Sequence, residues 1–141
     1  MPNTLFPAPE APAPAVPQDP LAADRLPLLD AEKLDVYRVA VEFQMLAAQL
    51  LPRRGQWVLR DQLDRASVSI VLNIAEGAGR FSPADKARFY AIARGSAAEC
   101  AAILDLLFCR GLSTVSAYRR SRGLLVRIIQ MLTKLNACFQ K

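Results

Sequence analysis

Histidine is absent from this chain of 141 residues, and the chain holds only six glycines and three cysteines. Without imidazole there is no ordinary Ser-His-Asp triad, and Ser67, Ser69 and Ser96 have no evident base beside them. A di-metal bundle would need several carboxylates and Glu-x-x-His pairs, and Glu76 and Glu99 alone do not supply them. Cys100, Cys109 and Cys138 match no zinc spacing, and their odd number suits reduced thiols packed as small hydrophobes. No catalytic, cofactor or metal site is therefore predicted. The opening residues lack a basic stretch followed by a continuous apolar run, so they do not read as a signal peptide. No segment has about 18 uninterrupted apolar residues, so no membrane span is predicted and the expected location is the cytoplasm. Alternating polar and apolar runs are missing too, and with them any need for strands.

Proline is common but unevenly spread: eight of the ten fall within the first 27 residues. That Pro- and Ala-rich opening has almost no helical periodicity and reads as a disordered or polyproline-II tail over residues 1–29. Charge divides at the same place. Residues 1–35 carry six acids and two bases, while residues 36–141 carry seven acids and sixteen bases, a net of +9. Arginine outnumbers lysine 14 to 4, and a guanidinium can grip phosphate with two parallel hydrogen bonds. A polyanionic partner follows from this balance, or else an Arg-rich surface with no such role.

Residues 30–141 are helical in pattern throughout. Asp30 can cap a first helix whose apolar positions are Val36, Val39, Phe43, Leu46 and Leu50, and the run Pro52-Arg53-Arg54-Gly55 ends it. A second seam reads Leu59, Leu63, Ala66, Ile70, Asn73 and Gly77. Ser82, Pro83 and Asp85 form a strong helix start. The third seam takes Phe89, Ile92, Ser96, Glu99, Ile103 and Leu106, with Gly111 as the stop. Ser113 can cap a fourth helix with Val115, Tyr118, Arg122, Leu125, Ile129, Leu132 and Phe139 in its seam. Short joints make neighbours antiparallel, so the fold class is all-α, an up-down-up-down four-helix bundle. Helix two has further apolar residues at Val68, Val71 and Leu72, and helix four a second heptad at Leu124, Ile128, Met131, Leu135 and Cys138. This surplus reads as a subunit interface, the alternative being a wide core stripe.

The stretch NIAEGAGRFSPADKARFY joins helices two and three. It is too short for a phosphate loop and lacks the Gly-Lys-Ser/Thr ending, although the amides at the start of helix three could hold one phosphate. As a structural joint it makes more sense. Glu76 and Arg80 can pair across one turn, while Gly77 and Gly79 permit a left-handed residue and close backbone approach. Asn73 can set register from within the seam. Glu99, one turn from Ser96, would need a buried partner, with Arg80 or Arg122 as candidates.

The run QLDRASVSIVLNIAEGAGRFSPADKARFYAIARGSAAECAAILDL resembles the signature of the four-helix-bundle family known as the 23S rRNA intervening-sequence proteins. The matching positions are Gln62, Leu63, Arg65, Ala66, Ser69, Ile70, Asn73, Ile74, Ala75, Glu76, Gly77, Gly79, Arg80, Phe89, Gly95, Ser96 and Glu99. Val71 stands where relatives often have proline, and Ala87 where they have phenylalanine. The resemblance implies an up-and-down bundle, commonly a ring-like pentamer. More distantly, the chain is similar to the accessory protein of diversity-generating retroelements, a basic pentameric bundle that binds nucleic acid and a reverse transcriptase.

Together these features predict a non-enzymatic homo-oligomer that binds RNA or DNA through Arg53, Arg54, Arg80, Lys86, Arg88, Arg119, Arg120 and Arg122. Contact would be mainly to phosphates, with little sequence specificity. Trp57, Phe81, Tyr90 and Tyr118 are candidates for base stacking, each expected to pack in the core or an interface instead. The alternative is a protein-interaction scaffold with a protein partner and no nucleic-acid role. Continuous basic surface favours the first, and arginines scattered and paired to acids favour the second.

Overall fold

The computed structural model describes residues 28–50 and 54–140. The N-terminal tail up to residue 27 and Arg53 lie outside the described residues. A short 3-10 turn, Asp30–Lys33, precedes helices α1 (Asp35–Leu50), α2 (Trp57–Gly79), α3 (Pro83–Cys109) and α4 (Val115–Phe139). Each helix packs on its two neighbours in a closed ring of four: α1 on α2, α2 on α3, α3 on α4 and α4 on α1. No strand occurs among the described residues. The fold is the predicted all-α bundle.

Local chemistry sets most of the boundaries. The Ser82 hydroxyl accepts from the Asp85 amide, and Pro83 follows at the first helical position. At the far end of α3, Gly111 adopts φ +71°. Its amide and that of Leu112 donate to the carbonyls of Phe108 and Leu107 at 3.0 and 2.9 Å. This pair of bonds closes the helix and needs a residue free of a Cβ penalty.

Two starts differ from expectation. Asp30 heads the 3-10 turn rather than a helix, because Leu34 is extended (φ −94°, ψ 125°) and α1 begins only at Asp35. Thr114, not Ser113, caps α4 by accepting from the Ala117 amide at 3.1 Å, while the Ser113 hydroxyl donates to the Thr114 carbonyl.

The core holds most of the expected residues of α1 and α2, with Leu46, Leu50 and Asn73 only half-buried. Val36, Val39, Phe43, Leu59, Leu63, Ala66 and Ile70 are buried, joined by Ala40, Ala47 and Ile74. Each large side chain buried there stabilises the fold by roughly 1.5–3 kcal/mol. On α3 the core stripe is not the predicted one. Ala87, Tyr90, Ala93, Ala97, Cys100, Ile103, Leu104 and Leu107 are buried, whereas Ile92, Glu99 and Leu106 are exposed. The alanines let α3 sit close to its neighbours, so the stripe of larger side chains turns outward. On α4 the supposed surplus heptad is partly core: Leu124 and Ile128 are buried with Leu125 and Leu132, and Val115 and Arg122 are exposed. The wide-core reading therefore holds for α4. On α2 it holds only for Val71, which packs against the core, since Leu72 is 62% exposed and Val68 also reaches solvent.

Of the cysteines only Cys100 is buried; Cys109 and Cys138 are exposed. Burial, with Glu99 nearby, pushes the Cys100 thiol up to about 12. At pH 8 a thiol reagent is expected to modify Cys109 and Cys138 quickly and Cys100 only after denaturant is added. Three equally fast thiols would contradict this packing.

Candidate functional site

The joint between α2 and α3 is built from contacts across the two helices. Gly77 is buried where α2 meets α3, and a Cβ there would lie 2.8 Å from Tyr90 Cε1 and 3.1 Å from Phe89 Cβ. Close approach is thus the reason for Gly77. Gly79 has open space around it, and neither glycine is left-handed, because α2 continues to Gly79 and Arg80 is extended. Arg80 pairs with Glu76 as expected. The Arg80 and Arg88 guanidinium carbons lie 4.9 and 4.7 Å from the Phe89 ring centroid. Lys86 donates from Nζ to the carbonyls of Ala78 and Gly77 at 2.8 and 3.3 Å, satisfying the end of α2. Two of the predicted phosphate-binding groups, Arg80 and Lys86, are thereby occupied in holding the joint together, while Arg88 stays exposed over the ring of its own neighbour Phe89.

One helical turn to three turns further along, a polar ladder ties α2 to α3. Asn73 Nδ2 donates to the Ser69 carbonyl at 2.8 Å and to Ser69 Oγ at 3.0 Å. The Ser69 and Ser96 hydroxyls meet at 2.8 Å. With two lone pairs and one proton, Ser69 Oγ can accept from Asn73 and still share a hydrogen bond with Ser96 in either direction. A hydroxyl pair crossing between helices fixes their register, the role expected of Asn73. Beside the ladder stand Leu72 and Ile92, 62% and 44% exposed. Glu99 is exposed and not buried in a seam, so it needs no buried cation. Arg122, one of its supposed partners, instead reaches Asp105 at 3.6 Å, and Tyr118 donates to the same Asp105 oxygen at 2.5 Å.

The second surface is α4. Its basic residues are Arg119, Arg120, Arg122, Arg127 and Lys134, and it contains no acid. All five are exposed. Tyr118, Thr133 and Asn136 mark the side facing α3 through bonds to Asp105, Arg94 and the Ala87 carbonyl. Arg120, Arg127 and Lys134, seven residues apart, fall on the opposite flank, toward α1, at intervals of about 10 Å. Arg119, Arg120, Arg127 and Lys134 form no ion pair with the described residues. Asp35 and Glu42, the acids of the neighbouring α1, do not pair with them. Arg127 and Lys134 stand alone in the chain and so escape a search for clustered bases; a helical wheel of α4 places them in line with Arg120.

Arg54 is exposed and Arg53 is outside the described residues. Tyr90 is buried beside Phe139, and Tyr118 stacks on Phe108 at 4.6 Å. Trp57 and Phe81 are exposed instead of packed. Among the described residues no three His, Cys, Asp or Glu side chains gather as a metal site, and no helix is long and apolar enough to cross a membrane.

These features define an up-and-down four-helix bundle whose distinctive chemistry lies on its outer faces. The chain belongs to the family of the 23S rRNA-intervening sequence protein, whose model matches residues 32–134. No curated protein matches the chain. The more distant likeness to the retroelement accessory protein is not shown by these comparisons.

Proposed function

We propose that this protein is a non-enzymatic homo-oligomer that holds RNA or DNA by its phosphates, with little sequence specificity. The observation that carries the reading is the acid-free α4, with four exposed bases that form no ion pair among the described residues. Solvated guanidinium and ammonium groups in a row attract a polyanion without reading its bases. The bundle is a ring of four helices, so α4 and its flank toward α1 lie across from the groove of α2 and α3. Leu72, Ile92, Val68 and Leu106 give that opposite side an apolar character suited to a second copy. Self-association there leaves α4 free, and repeats the basic surface once per subunit. The family's link to ribosomal RNA insertions is compatible with this chemistry.

The test is fluorescence anisotropy of labelled RNA and DNA across a salt series, on protein whose mass is fixed by light scattering. Sub-micromolar binding near about 150 mM salt with a steep log-log slope is expected. The mass should be a multiple of one chain and drop to one chain in Leu72→Glu with Ile92→Glu. Absence of binding even near about 50 mM salt would sink the nucleic-acid reading and favour a scaffold for a protein partner.

A further inference from the structure

This inference rests on the nucleic-acid reading and concerns the end of the bundle where α2 begins and α3 gives way to α4. Trp57, the chain's single tryptophan, is the first residue of α2 and is 80% exposed. An indole is usually well covered. Here the backbone keeps it out. Gly55 and Gln56 are both left-handed, at φ +79° and +54°, and Gln56 is the one residue other than glycine with positive φ among those described. That conformation is disfavoured for a side chain with a Cβ. Arg110, at the C-cap of α3, holds it by donating from Nη1 to Gln56 Oε1 at 2.7 Å. Two helices thus cooperate to present an aromatic face to solvent, and strain of this kind points toward function.

The charges around the indole indicate what it meets. Arg110 is tied to Gln56, the residue before Trp57, and Arg54 is exposed two residues before that glutamine. Arg119 and Arg120 lie in the first two turns of α4, at this same end of the antiparallel bundle. Trp57 also borders a groove with Ala48, Arg60, Asp61 and Asp64. Asp61 is paired to Arg65 at 3.1 Å, so Asp64 is the acid that would turn phosphate toward Arg54 and Arg110.

We propose that Trp57 is a base-stacking platform for single-stranded RNA or DNA, with Arg54 and Arg110 taking the adjoining phosphates. Every base offers a π-face, so stacking on an indole adds affinity without sequence preference. A duplex keeps those faces inside its own stack. Single strands should therefore be preferred, and the phosphate track should continue from this end along α4.

Because the chain has one tryptophan, intrinsic fluorescence of the full-length protein reports this contact directly. It would be titrated with a short oligo-dT strand and with a hairpin duplex of equal length near about 50 mM salt, alongside anisotropy of the labelled strands. The expected result is quenching by the single strand, in step with its anisotropy, and little change with the hairpin. Trp57→Ala should weaken single-strand binding roughly tenfold, within the range for loss of one stacked base, and Trp57→Phe should keep most of it. The salt slope should stay the same in both. Single-strand binding with unchanged fluorescence overturns the platform and leaves the nucleic-acid reading standing. No binding by either probe overturns both. A fluorescence change that follows protein concentration alone assigns Trp57 to a protein interface and overturns the inference.

Discussion

Replacing Arg120, Arg127 and Lys134 together by glutamate is expected to remove nucleic-acid binding while leaving the bundle folded. All three side chains are exposed and none forms an ion pair with another described residue. Substitutions at such surface positions usually change stability by no more than about 0.5 kcal/mol each. Their effect on a polyanion is much larger. Removing one base that neutralises a phosphate should reduce the log-log salt slope by about one, so the triple variant should give up roughly two to three units of it. Affinity near about 50 mM salt should fall roughly a hundredfold or more, because each site changes from attraction to repulsion. If several copies assemble, the weakening is repeated in every subunit. Arg65→Ala, on α2 and paired with Asp61, should leave the slope unaltered. An unchanged slope in the triple variant would remove the row of Arg120, Arg127 and Lys134 from the interface. Reversing Arg119 as well would then show whether the start of α4 contributes without that row.

The bundle itself was legible because local signals agreed with one another. Ser82-Pro83-x-Asp85 and Gly111 are helix punctuation whose physics needs no distant partner, and both occur as read. The inner faces of α1 and α2 were clear as well, since Val36, Val39 and Phe43, and Leu59, Leu63 and Ile70, fall in register and are buried as read. α3 was harder. It carries two rows, one of Phe89, Ile92 and Leu106 and another rich in alanine, and periodicity alone ranks the larger side chains first. Which row faces inward depends on how close the neighbouring helices come, a tertiary property. The same reason hid the fate of the basic residues. Arg80, Lys86 and Arg88 look like a cluster in sequence, but Lys86 is spent on the carbonyls ending α2 and Arg80 on Glu76. Arg127 and Lys134 become a row with Arg120 only when α4 is wound.

Gly77 and Gly95 look alike in sequence, since each lies in a helix and in the family signature, yet their substitutions should have opposite effects. At Gly77 an added Cβ would meet Tyr90 and Phe89 atoms at 2.8 to 3.1 Å. The Phe89 Cβ is fixed to the α3 backbone, and the Tyr90 ring is buried with Phe139 beside it. Neither can step aside, so α2 and α3 must separate. Overpacking of this kind costs about 1–3 kcal/mol, and a valine, with its two further methyls, belongs at the upper end. A better helix propensity than glycine returns less than about 1 kcal/mol. Gly77→Val should therefore lower Tm by on the order of 10 °C. At Gly95 no atom lies within 4 Å of an added Cβ. Gly95→Ala should accordingly stabilise the single chain by about 0.5–1 kcal/mol, because the unfolded state loses freedom and the helix gains a better former. Thermal melts of both variants, made in the Leu72→Glu, Ile92→Glu background to exclude assembly, separate the two effects. A neutral Gly77→Val would mean that α2 and α3 do not approach as closely as the joint requires. If Gly95→Ala stabilises the single chain but weakens self-association of the wild-type surface, then the open space over Gly95 is filled by a second copy.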